Sequence, residues 1–155
     1  YNCLRFSPLP RKFREEVGYT DVIDNPGIHY NCYVKLNEGR YKYISASEFL
    51  EKNNSLEFKV LANTRTRISF PLKVVFTKTN HGPETPEEER GISYDPVIKY
   101  IHKNKTSKYN SSPPNFCQIT LDENTLYRSL HTMKCEIYDS NGNNIFRDWI
   151  GVMIK

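Results

Sequence analysis

Four histidines, His29, His81, His102 and His131, and four cysteines, Cys3, Cys32, Cys117 and Cys135, carry the widest chemical repertoire in this chain of 155 residues. Metal binding or nucleophilic catalysis would need several of them at close quarters with a base or carboxylate. Their spacing gives no such cluster. No histidine pair has the i, i+4 separation of a helical metal site, no two cysteines form a C-x-x-C, and the seven glycines are too dispersed for a phosphate-cradling loop. Convergence of His29, Cys117 and Asp148 in space is a matter for the fold. The expectation is a non-enzymatic protein with no cofactor and no metal.

Binding chemistry is better represented. The net charge of +4 conceals an acidic loop, Glu84, Glu87, Glu88 and Glu89 with Arg90; the remainder holds 21 basic against 14 acidic residues. Basic residues gather at Arg11, Lys12 and Arg14, at Arg65 and Arg67, and at Lys99, Lys103, Lys105 and Lys108, with Tyr100 and Tyr109 interleaved in the last group. Such patches suit nucleic acid, heparin-like glycans or an acidic protein. Arginine, tyrosine and tryptophan are also the types enriched at protein-binding hot spots, and Trp149 is the chain's single tryptophan. The candidate contact residues are therefore Arg65, Arg67, Lys103, Lys105, Lys108, Tyr109 and Trp149.

The elements that must position them read as strands. After the turn Asp24-Asn25-Pro26-Gly27, residues Tyr30, Cys32, Val34 and Leu36 alternate with polar neighbours, and Asn37-Glu38-Gly39 returns the chain through Arg40 to Ile44 as a hairpin. Ser45 to Glu48 has the form of a capping box, predicting a short helix that buries Phe49 and Leu50. Strands follow over Leu56 to Leu61 and Arg67 to Thr77, the latter placing Ile68, Phe70, Leu72, Val74 and Phe76 on one face. Pro71 predicts an edge position or a bulge in that strand. Thr85-Pro86 followed by carboxylates predicts one or two helical turns. Ile92 to Ile101 and Phe116 to Leu121 read as further strands, and Asp122 is placed to cap a short helix burying Leu126 and Leu130. Residues Lys103 to Asn115 form a polar loop, and Thr132 to Lys155 a closing hairpin whose Asn141-Gly142 pair predicts a type I′ turn.

The expected architecture is an all-β, immunoglobulin-like antiparallel sandwich of seven to nine strands with one to three short helices, forming a single domain over residues 1–155. Trp149 alternates away from Phe146, Ile150, Val152 and Ile154, so it stands on the outer face of the last strand, exposed or covered by a neighbour. The hairpin from Cys135 to Ile145 resembles the corresponding one in p53-like and Rel-type DNA-binding sandwiches, without their basic C-terminal helix or zinc ligands. That resemblance implies a transcription-factor-like use of basic loops on DNA or RNA. A protein partner makes fewer demands and is the leading expectation, with nucleic acid the alternative.

No apolar run reaches 18 residues, which predicts no membrane-spanning helix. Opening at Tyr1 rather than Met predicts that a preceding segment has been removed. Four cysteines allow two disulfides in three pairings, while Cys32 and Cys135 lie in alternating strands and equally suit a reduced core. The sequons at Asn53, Asn104 and Asn110 carry little weight, since a chain with 15 Asn and 21 Ser plus Thr yields about two by chance. The compartment and the oligomeric state are left open.

Overall fold

The computed structural model describes residues 21–35, 41–43, 49–50, 55–80, 87–89, 93–103, 115–124 and 129–154. Within them the chain forms nine strands: β1 (Ile28–Lys35), β2 (Tyr41–Tyr43), β3 (Phe49–Leu50), β4 (Ser55–Asn63), β5 (Leu72–Asn80), β6 (Val97–Ile101), β7 (Phe116–Asn124), β8 (Ser129–Tyr138) and β9 (Asn144–Ile154). They build two sheets, ordered β2-β1-β4-β7 and β3-β9-β8-β5-β6. Every pairing is antiparallel except that of β3 with β9. The all-β antiparallel sandwich expected from the alternation is the fold observed.

Period-two patterning decides which residues meet between the sheets, since successive side chains leave a strand on opposite faces. Leu56, Phe58, Val60 and Ala62 of β4 point inward, as do Leu72, Val74 and Phe76 of β5 and Met133, Cys135 and Ile137 of β8. Tyr30 of β1 stands among the rings of Phe58, Phe76 and Phe146, and its hydroxyl donates to the carbonyl of Met133 at 3.0 Å. One side chain of the first sheet is thereby bonded to the backbone of the second. Cys117 and Ile119 pack against this core from β7 beside buried Leu121, as their alternation predicts. Cys32, Cys117 and Cys135 are free thiols, so the two-disulfide framework does not form; Cys3 lies outside the described residues.

Local expectations fail where tertiary pairing overrides them. Phe49 and Leu50 do not belong to a helix but form β3, pairing in parallel with Met153 and Ile154. Asp122 caps no helix, because β7 runs through it to Asn124 against β4. β5 is neither an edge nor bulged at Pro71: it begins at Leu72, one residue past the proline, and runs between β6 and β8. Starting the strand there makes the missing N–H harmless to the ladder. Ile68 and Phe70, expected within that strand, reach the core from the preceding loop. A single 3-10 turn spans Glu87–Glu89 in the acidic segment.

The closing hairpin is present with a different turn. Gly142 adopts φ +83°, whereas Asn141 is not among the positive-φ residues. The Gly142 N–H bonds the Asp139 carbonyl at 3.0 Å and the Asp139 N–H bonds the Asn143 carbonyl at 2.9 Å. This is a three-residue loop, a type I turn followed by a left-handed glycine, rather than type I′. The Asp139 carboxylate accepts from the backbone N–H groups of Asn143 and Asn141, both at 2.9 Å. These bonds, that from Asn143 foremost, hold its pKa below the usual range. The capping box at 45–48, the Asn37–Gly39 turn, Leu126 and the three sequon asparagines lie outside the described residues.

Candidate functional site

One end of the sandwich collects loops from four distant parts of the sequence. Leu72 pairs with Ile101, Lys73 with Tyr138, and Asn63 with Phe116, so the segments beyond these residues all leave from the same end. Backbone bonds stitch them together: Asn63 N–H to the Gly27 carbonyl at 2.8 Å, Thr64 N–H to the Asn115 carbonyl at 2.8 Å, and Ser140 N–H to the Ser69 carbonyl at 2.9 Å. Asn115 tolerates the φ of 68° that turns its carbonyl toward Thr64, whose hydroxyl also donates to it at 3.0 Å. Gly27 is required by close approach, since a Cβ there would stand 2.5 Å from the Thr66 hydroxyl oxygen.

This braced platform carries Arg65, Arg67 and Lys103, all exposed. The Arg65 N–H bonds the Asn63 side-chain oxygen at 2.9 Å, which fixes the backbone and leaves the guanidinium to the solvent. The fold thus brings together three of the expected contact residues from sequence positions almost forty residues apart. Lys105, Lys108 and Tyr109 lie outside the described residues.

Trp149 is not at that end. It stands on the outer face of β9, as its register predicts, yet it is only 6% exposed. With Asp21, Lys134, Glu136 and Arg147 it lines a hollow of about 210 Å³. The Glu136 carboxylate accepts from Arg147 Nε at 2.9 Å and from Lys134 Nζ at 3.1 Å. Burial pushes the Glu136 pKa up, but the hydrogen bonds and charges of Arg147 and Lys134 outweigh it and leave the group below its ordinary value. Arg147 also donates to the Asp21 carbonyl and exchanges two backbone bonds with Ile23, pinning residues 21–23 alongside β9.

A second concavity opens at the seam between the sheets, where β1 faces β9. β2 pairs only with Tyr33 to Lys35 of β1, and β3 only with Met153 and Ile154 of β9. Between these limits lies a cleft of about 400 Å³, bordered by the Asp24–Pro26 turn and by Ile28 to Asn31, Phe146 and Asp148. Asp148, named from the sequence only as a member of a possible set with His29 and Cys117, occupies the inward register between Phe146 and Ile150. The residue is 5% exposed, and its carboxylate accepts from the Trp149 N–H at 2.8 Å. Burial first, then the neighbouring Cys135, Cys32 and Asp148, push the Tyr30 phenol well above its usual pKa. His29 and Asp148 share this cleft, while Cys117 is not among its lining residues, so the three do not assemble as a catalytic set.

The sequence model of the adenylyl/guanylyl and SMODS C-terminal sensor domain matches residues 10–155. The chain belongs to this family. A cytidylate cyclase from Escherichia coli is 29% identical over 159 aligned positions, which span 99% of this chain and 35% of the relative. This sensor domain therefore spans about a third of the length of that curated relative. Among solved structures, a chitin-binding domain from Burkholderia pseudomallei aligns with 70% of the chain and 56% of its own, at 12% identity and a TM-score of 0.42, too loose a likeness to carry an argument.

Membership of the sensor family corrects two expectations. Neither the expected non-enzymatic binding module nor the expectation of no link to an enzyme stands: the family and the relative are those of nucleotide-cyclase-type enzymes, which points to an enzyme-associated protein. The comparisons also lend no support to nucleic-acid binding or to the immunoglobulin-like label, whereas binding of some ligand or partner follows from a sensor. Among the described residues no helix is long and apolar enough to cross a membrane.

Proposed function

We propose that this chain works as one unit, residues 1–155, as the sensing module of a nucleotide cyclase, and that a partner with an acidic face docks on the loop end carrying Arg65, Arg67 and Lys103. The observation that carries the reading is the family match over residues 10–155, joined to near-complete coverage of this chain by one third of a cytidylate cyclase. The loop end supports the choice of surface. Its backbone is cross-braced, so basic side chains are presented at little ordering cost, and an acidic protein is attracted before contact is made. The braces also reach the two sheets: loop 64–71 leads directly into β5, and the 139–143 loop joins β8 to β9. A partner that shifts these loops loads the central strands of the five-stranded sheet.

The test uses the native polypeptide that carries this chain. Cyclic-nucleotide formation from each of the four ribonucleoside triphosphates is measured by mass spectrometry, with and without lysate of the cells that naturally make the protein. A triple variant, Arg65→Glu, Arg67→Glu and Lys103→Glu, retains the fold and basal turnover and loses the stimulation by lysate. No cyclic product from any of the four substrates refutes the cyclase assignment. Undiminished stimulation of the triple variant refutes the docking surface.

A further inference from the structure

Strands β6 and β7 lie side by side along one flank of the sandwich, each at the end of its sheet's strand order, and the two are guarded differently. Lys99 of β6 reaches across and donates from Nζ to the Thr120 carbonyl of β7 at 2.7 Å, and Lys78 of β5 bonds Glu123 of β7 at 3.1 Å. Charged side chains laid over an edge are a usual protection against pairing with another chain. β6 has spent its protection on its neighbour: Lys99 is its one charged residue, and the others are Val97, Ile98, Tyr100 and Ile101. Among the described residues β6 pairs with β5 alone. Val97, Ile98 and Tyr100 are 38%, 47% and 55% exposed, the large hydrophobic side chains most open to solvent among the described residues. Ile98 and Tyr100 stand on the outer face of the sheet, in register with Val75 and Lys73 of β5.

We propose that β6 pairs with β6 of a second copy of this chain, antiparallel about a twofold axis at Lys99. In this register the strand is complementary to itself. Ile98 of each copy lies opposite Tyr100 of the other on the outer face, and Val97 lies opposite Ile101. Charge follows the same symmetry: exposed Asp95 precedes the strand by two residues and exposed Lys103 follows it by two, so each Asp95 comes to the Lys103 end of the other copy. The like charges nearest the axis are drawn aside, because the bond to Thr120 holds Lys99 Nζ toward β7. The pairing joins two five-stranded sheets edge to edge and shields the exposed side chains of β6. It does not depend on the docking surface proposed above; the two share Lys103, and the test below contains no other protein.

Sedimentation equilibrium of the full chain, in reducing low-salt buffer from about 10 μM to about 1 mM, measures the association. A monomer–dimer equilibrium is expected. Asp95→Lys sets lysine against Lys103 at both ends of the symmetric pair and should raise the dimer Kd by about tenfold. Lys103→Asp should do the same, and the double variant Asp95→Lys, Lys103→Asp should return Kd to within about twofold of the parent. Ile98→Asp puts a carboxylate against Tyr100 of the other copy and should leave the chain monomeric over the whole range. All three positions are exposed, so the variants keep the fold, which circular dichroism verifies. A parent chain that is monomeric throughout, a dimer indifferent to Ile98→Asp, or a double variant that does not recover overturns the proposal.

Discussion

The core holds three protons that the unfolded chain gives up, and this predicts a marked loss of stability at alkaline pH. Burial pushes the thiols of Cys32 and Cys135 well above 9.0, helped by the charge of Glu57 on the first and of Asp148 and Glu136 on the second; the Tyr30 phenol moves well above 10.0. All three folded values are raised. Their contribution is therefore complete below the unfolded pKa and disappears as pH climbs from the unfolded toward the folded value. A thiol titrating at 9.0 when unfolded and still protonated when folded removes about 1.4 kcal/mol between pH 8 and pH 10. Two thiols remove about 2.7 kcal/mol, and Tyr30, starting from 10.0, adds about 0.4 kcal/mol. A loss of about 3 kcal/mol is a large share of the roughly 5–15 kcal/mol that stabilises a domain. Urea unfolding in reducing buffer at pH 8, 9 and 10 measures it as a falling midpoint at constant slope. The double variant Cys32→Ala, Cys135→Ala should start about 1 kcal/mol per site lower, from the space left, and then lose only the tyrosine contribution. Stability that stays flat from pH 8 to pH 10, or a double variant that falls as steeply as the parent, would refute the reasoning.

Three further outcomes follow from packing and backbone conformation. Trp149→Ala should cost about 3 kcal/mol in urea unfolding at constant slope, as expected for a buried indole; a change within about 0.5 kcal/mol would mean that the ring is not packed. Gly27→Ala forces a Cβ to 2.5 Å from the Thr66 hydroxyl oxygen and 2.8 Å from Ile68 Cδ1 and should cost about 2 kcal/mol. Gly142→Ala meets nothing within 4 Å and should cost about 1 kcal/mol through its φ of +83° alone. Thermal unfolding of the pair checks the order, and a costlier Gly142 variant would show that the 27–66 approach is not tight.

Much of the sandwich was legible because alternation is a local property. The inward faces of β1, β4, β5 and β7 can be read from Tyr30, Phe58, Val74 and Leu121 and their neighbours, and any chain that buries these faces must pair the strands that carry them. The same pattern placed Trp149 on the outer face. It could not reveal that the indole is only 6% exposed, because alternation fixes a face and not what lies over it; beside it, Arg147 bonds Asp21 and Ile23 from more than 120 positions away. Phe49 and Leu50 show the same limit: a capping signal predicted helix, and pairing with residues a hundred positions later made strand. Arg65, Arg67 and Lys103 were recognisable as basic residues, but their common end depends on the register of β5 with β6. Asp148 was a charged residue at an inward position, and only the opposing strand β1 turned it into the wall of a cleft. The sequence by itself determined strand faces, the closing hairpin and the composition of the core, since these depend on neighbours two residues away. Tertiary structure decided turn type, edge order, burial of the outer face and the make-up of both concavities, because each depends on which distant strand supplies the facing backbone.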